Sequence, residues 1–374
     1  MKNQIIIIAL FLFIFGEINS KVREIPLKYN IVSELAEDVF IVKHKNRYSY
    51  MDTIGNLLMN KSFYTASPFS DDLAIVSGKN GSCLLIDKKG NINKSLDNMF
   101  RFETSVSTDG FREGLAVMMG GNGKYGFIDT SGKWVIQPQF TLCHSFSEGM
   151  ALVEDEKHKR GFINREGKLI IPCKYGRYTG DFCNGLAVFQ SGKKLGYLNK
   201  QGEEVIKPYL LKARDFLSDI TLMADSSHFF VADKQGNELF SLAGYSVGHN
   251  FYDNLLLIVD KKTEKYGYIN TSFEKKIPCV YDEALDFNNG YAAVKQNGKW
   301  GFIDSNNKTI IPFRYEEVRL YEAGVFSVRL NGKWGIIDNI GNLTIPFKYD
   351  YIDFVGSGYF EAGAGSKKFL IVLK

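Results

Sequence analysis

Nine side chains of one chemical kind recur along this sequence at a nearly constant spacing: Asp52, Asp87, Asp129, Asn164, Asn199, Asp233, Asn270, Asp304 and Asp338. A ring of carboxylates at such intervals could hold cations. The competing reading is turn chemistry, because an Asx side chain followed three residues on by glycine or asparagine starts a hairpin turn. Asparagine at three of the nine positions fits turns better than ion ligation.

A second set is aromatic. Trp300, Trp334, Tyr125 and Tyr266 each precede a glycine, and their rings could offer stacking platforms for sugars. Cys83 and Leu195 stand at the same phase elsewhere in the chain, which favours packing over ligand contact. His144 beside Cys143 suggests a nucleophile pair, but adjacent strand residues point to opposite faces and would not meet. His44, His158, His228 and His249 show no metal-ligand spacing. Gly-x-Ser-x-Gly, phosphate-loop and His-Glu-x-x-His patterns are missing. The charge-rich run from Glu154 to Arg160 reads as a solvated hairpin tip. No catalytic residue, cofactor or metal site is therefore expected, and ligand-binding residues stay unassigned.

The five cysteines are Cys83, Cys143, Cys173, Cys183 and Cys279, an odd number. Cys173 and Cys279 both follow an Ile-Pro pair, and Cys83 sits where Trp300 and Trp334 sit. They behave as small core-filling residues, so no disulfide framework is expected.

The elements that carry these residues are short strands. In Gly290–Tyr315, Ala292–Lys295 is an apolar run ending at Asn297-Gly298, the strongest short hairpin signal. The return strand, Trp300–Asp304, is apolar on both faces and should be central and buried above and below. Asp304 opens a second turn, and Thr309–Tyr315 forms a third strand. Pro312 cannot donate to a ladder, which places that strand at an edge. Each unit thus reads as a three-stranded β-meander.

The same unit recurs along the chain. Its opening turn residue is Asp38, Asp72, Gly114, Gly149, Gly185, Asp219, Asn254, Gly290, Gly324 and Gly358, at intervals of 34 to 36 with one of 42. The long interval falls in a surface excursion, Asn91–Thr108. Self-similarity at this period signals a propeller, solenoid or array. The chain is 45% hydrophobic with a net charge of only +4, and no basic run suggests a nucleic-acid track.

Residues 1–20 stand apart. Lys2 is followed by the apolar stretch Ile5–Phe15 and by Ile18-Asn19-Ser20, the pattern of a secretory signal peptide. Eleven apolar residues fall short of the ~20 that span a bilayer. The expected mature chain is a single β-repeat domain, residues 21–374, exported to the periplasm, cell surface or medium, with no membrane insertion after cleavage. Its tenth unit supplies two strands, Tyr359–Ala362 and Phe369–Leu373, and stops. Arg23–Tyr29 matches the missing third strand, as Ile345–Tyr349 shows. The 354 residues from 21 to 374 are close to ten periods of 35. A closed, propeller-like ring completed by the N-terminal strand is expected, with an open solenoid or superhelical array as the alternative.

Asn-Gly-Lys-Trp-Gly-Phe-Ile-Asp at 297–304, its echo at 331–338, and the recurrent Phe-x-x-Gly-x-Ala-x-Val resemble the WG-containing repeat family. The resemblance implies a bacterial, often exported β-repeat protein that binds or scaffolds, with no catalytic residues to carry over. The expected function is accordingly a non-catalytic binding or scaffolding module for a protein partner at or beyond the cell envelope. A glycan- or cell-wall-binding lectin is the alternative, and no nucleic-acid partner is expected.

Overall fold

The computed structural model describes residues 22–78, 81, 83–96, 99–100, 110–320 and 324–373. The leader-like residues 1–20 lie outside them, as does most of the 91–108 excursion. Every described element is a strand. The strands form ten antiparallel sheets, eight with four strands and two with three, and each sheet is one repeat unit or blade, numbered 1 to 10 in chain order from the sheet of Val39–His44 to that of Tyr359–Ala364.

Blade 4 shows the pattern: Leu142–Cys143, Met150–Glu154, Arg160–Asn164 and Leu169–Tyr175, hydrogen-bonded in that order. The last three strands are the expected meander. The two-residue first strand is an addition that the apolar pattern is too short to announce. Alternation along the middle strands sends side chains to both faces. Ala151, Val153 and Ile163 pack against blade 3, while Leu152 and Phe162 pack against blade 5. This is why those strands read as unbroken apolar runs.

Ten such clusters fill ten seams, so the stack closes on itself. At the last seam Val355, Tyr359, Leu370 and Val372 of blade 10 pack on Phe40, Val42 and Met51 of blade 1. The N-terminal strand, Arg23–Leu27, pairs with Lys367–Val372 as the fourth strand of blade 10. The ring is closed, as expected from the terminal half-units, and the open array is not what forms.

The glycine of the Trp-Gly motif has a steric cause. In blade 4 Arg160 pairs with Tyr175 but Phe162 pairs with Ile171, so two steps on one strand face four on the other. The surplus bulges out at Pro172, which lacks the N–H a regular ladder would need. The bulge drives the Ile171 carbonyl oxygen to 2.4 Å from where a Cβ on Gly161 would stand. Gly126, Gly196, Gly267, Gly301 and Gly335 face the same carbonyl at 2.3 to 2.8 Å. Where the residue is Ser49, Leu84, Phe230 or Phe369, the partner strand is absent or lacks this two-for-four mismatch. Glycine and proline bulge occur together or not at all.

In eight of the ten units the opening residue belongs to a tight turn whose two central described residues both have positive φ, as at Glu113-Gly114, Glu148-Gly149 and Asn289-Gly290. These turns clasp one another around one face of the ring. The Glu113 carboxylate accepts the Gly149 N–H at 3.2 Å, Glu148 accepts that of Gly185 at 3.0 Å, and Asp253 accepts that of Gly290 at 2.7 Å. Lys88 and Lys200 add ion pairs across the same steps, to Glu37 at 3.2 Å and to Glu148 at 3.0 Å. The aromatic three residues before the opening position, such as Phe69, Phe146, Phe182 and Phe216, is buried in the adjacent seam.

Three outcomes follow. Gly161→Ala should cost about 2–3 kcal/mol, because backbone must move. Gly149→Ala should cost about 1–2 kcal/mol, from positive φ alone in open space. Denaturant midpoints give the order. Removing residues 21–28 bares the edge of Lys367–Val372, so the truncated protein should melt lower and self-associate in size-exclusion chromatography.

Candidate functional site

All nine recurrent Asx side chains are engaged in turns. Asp304 Oδ1 accepts the backbone N–H groups of Asn306 and Lys308, both at 2.9 Å. Asp52, Asp87, Asp129, Asn199, Asp233 and Asp338 repeat this double acceptance, and Asn164 and Asn270 make the second bond. At Asp129 slight burial raises the pKa, but hydrogen bonds from Lys133 and Ser131 outweigh it and the net shift is downward.

Trp300 and Trp334 are 8% and 5% exposed and belong to the seams around blade 9. Tyr125 and Tyr266 are half-buried against the seam 3/4 and 7/8 clusters. The four rings build seams and offer no open platform. No disulfide joins the cysteines among the described residues. Cys143 is buried in the seam between blades 3 and 4, where desolvation pushes its thiol well above its ordinary pKa. Its neighbour His144 turns the other way, with Nδ1 3.0 Å from Asp181 of blade 5. The two side chains do not meet, as strand alternation predicts.

One feature that the repeat does not consume lies between blades 5 and 6. A groove of about 520 Å³ opens there, lined by Tyr178, Val188, Leu195, Leu211 and Ala213, with Gln190, Lys193 and Asp215 as polar members. Its origin is one inserted residue. In blade 4 the N–H groups of Thr141 and His144 donate to the carbonyls of Glu154 and Leu152, with two strand residues between them. In blade 5 Gly176 and Gly180 donate to the equivalent Gln190 and Val188, with Arg177-Tyr178-Thr179 between. The surplus residue forces a bulge that expels the Tyr178 ring, 60% exposed.

The bulge is held from three sides. Gln190 Oε1 accepts the Tyr178 N–H at 3.0 Å, the Gln190 N–H donates to Thr179 Oγ1 at 3.2 Å, and Thr179 donates to the Gly176 carbonyl at 2.7 Å. Opposite Tyr178, Leu211 is 50% exposed. Together they present an apolar groove on a fixed backbone. Reading the residues alone did not find this site. Its signal was the 36-residue interval from Gly149 to Gly185, one longer than its neighbour.

Asp215 closes the polar end. It meets solvent, yet protein on several sides and then the charge of Asp181 raise its pKa above the ordinary carboxylate value. Further round the ring, Asp286 is raised by burial, with His249 and Arg214 working against the shift. His144, Asp181, Arg214, Asp215, His249 and Asp286 come from the same short segment of blades 4 to 8, just before the opening turn. They give this stretch of the ring a mixed-charge rim.

The model of the WG containing repeat matches residues 125–157, 161–194, 266–300, 300–334 and 334–362, so the chain carries that repeat in these five stretches. Among solved structures it is similar to the computationally designed Ika8 protein, at 10% identity over 94% of this chain and 99% of that one, with a TM-score of 0.40. It is similar to a eukaryotic initiation factor at 12% identity, 78% and 91% coverage and a TM-score of 0.44. It is also similar to BamB from Moraxella catarrhalis at 10% identity, 92% and 98% coverage and a TM-score of 0.34. No curated protein matches the sequence.

The raised pKa of Asp215 has a defined sign. An acid that holds its proton more tightly when folded loses stability on ionising, so the cost is present above the ordinary carboxylate range and absent below it. Asp215→Asn should therefore raise the melting temperature at about pH 7 and leave it unchanged at about pH 3.

Proposed function

We propose that this chain, a closed ring of WG-type repeats, is an exported, non-catalytic scaffold that binds a segment of a protein partner in the groove between blades 5 and 6. The observation that supports the reading is the groove itself. There exposed apolar side chains, a held backbone and the charged groups of Asp215 and Lys193 occur together. A leucine- or phenylalanine-sized side chain would bury against Tyr178, Leu195 and Leu211, which are the kind of aromatic and aliphatic contacts that anchor protein interfaces. Asp215 would favour a basic residue beside that anchor.

Export rests on the leader-like pattern of residues 1–20. The non-catalytic reading rests on how the reactive side chains are engaged. Cys143 is a desolvated thiol inside a seam, and the recurrent carboxylates hold turns. The glycan alternative relied on the rings of Trp300 and Trp334, which pack between blades.

Affinity capture from a cell-envelope extract tests the reading, using residues 21–374 as wild type, Leu211→Glu and Leu169→Glu. Leu169 is also exposed but lies on the outer strand of blade 4. One protein retained by wild type and Leu169→Glu, and at least tenfold less by Leu211→Glu, is the expected result. Equal retention by all three removes the groove from the interface. Retained polysaccharide without protein restores the lectin reading.

A further inference from the structure

The seam that closes the ring carries a second departure from the repeat. A cavity of about 260 Å³ is lined by Lys28, Asn30, Lys43, His44, Lys45 and Asn46. Three lysines converge on it, and its lining contains no carboxylate. Among the described residues, two acids of this seam, Glu24 and Glu361, are committed elsewhere. Glu24 pairs with Lys348 at 2.8 Å, and Glu361 accepts from the Ile31 N–H at 2.9 Å, from the Tyr351 hydroxyl at 2.8 Å and from Lys368 at 3.2 Å. Lys43 donates to the Tyr48 hydroxyl at 3.1 Å, while Lys28 and Lys45 make no ion pair among the described residues.

A second observation comes from the backbone. The hairpin tip here is Lys45-Asn46, at φ values of 45° and 59°. Blades 8 and 9 build the same turn from Asn297-Gly298 and Asn331-Gly332, residues suited to positive φ. Lysine has no local hydrogen bond to offset that conformation, so its presence on the cavity rim is a cost that turn formation does not explain. Asn30, the cross-strand partner of Lys43, is held in place by Lys368 at 2.6 Å.

We propose that this cavity binds a phosphate or sulfate group. Lys28, Lys43 and Lys45 supply the charge, and the amide of Asn30 supplies a directed donor. The walls come from two sides of the closure. Lys28 leaves the strand that completes blade 10, while Asn30 and the Lys43–Asn46 tip belong to blade 1. An anion seated here ties the two blades together, so its binding is linked to the stability of the closed ring.

Thermal melting with inorganic phosphate tests the site, read against sodium chloride at matched ionic strength. The wild-type melting temperature should rise with the logarithm of phosphate concentration, and equilibrium dialysis should give one site per chain. Lys28→Gln/Lys45→Gln should lose at least tenfold in affinity, whereas Lys193→Gln/Lys207→Gln, at the distant blade 5, should keep it. Glycerol phosphate separates the two sources of the group. Tighter binding than inorganic phosphate assigns an esterified ligand, and equal binding assigns the free anion. The proposal is overturned if chloride reproduces the shift, or if both double variants lose it equally.

Discussion

Each sheet of this protein is apolar on both faces, and everything else follows from the need to cover both. A blade with one neighbour leaves half of its buried side chains in water, at a cost of about 1.5–3 kcal/mol for each fully exposed Ile, Leu or Phe. An open stack always has two such faces. A ring has none, provided its first and last blades meet. Phe40 and Met51 on one side and Tyr359 and Leu370 on the other are therefore ordinary seam residues. The terminal strand Arg23–Leu27 then covers the remaining edge of blade 10. The acidic turns that accept N–H groups from blade to blade reinforce a stack whose spacing the apolar seams already set.

The same constraint explains which parts of the fold were legible beforehand. Trp300–Asp304 announces a two-faced central strand because five consecutive residues are affected. The terminal half-units announce closure because Ile25-Pro26 repeats Ile345-Pro346. The first strands of the blades are two residues long in six cases, too short for any period to show. The role of the motif glycine was equally hidden, since it depends on a carbonyl brought up by a bulge some ten residues later. The proline had been visible as an edge marker. Only the register shows that it also sets the identity of residue 161, 301 or 335.

The candidate sites were the least legible part, and for a physical reason. A repeat motif describes what every blade needs, so residues that match it are spent on turns and seams. Trp300, Asp304 and Cys143 drew attention as chemistry and proved to be construction. Sites arise where one copy departs from the others while keeping its neighbours' bonds. Blade 5 keeps both hydrogen bonds that hold a first strand and inserts a residue between them, which turns Tyr178 outward. Blade 1 keeps the hairpin and replaces Asn-Gly with Lys-Asn, which trades backbone comfort for a charge on a cavity rim. Neither change is visible as a motif, because each is defined only by comparison with the other blades.

These two departures differ in chemistry and lie far apart. One is an apolar groove with a carboxylate at its end, at the seam between blades 5 and 6. The other is a small cationic cavity at the seam between blades 10 and 1. In a ring of ten blades these seams are five steps apart in either direction, which puts them on opposite sides of the axis. Ligands at the two proposed sites would therefore not compete. The fold supplies the distance between the two departures, and the divergent blades supply their side chains.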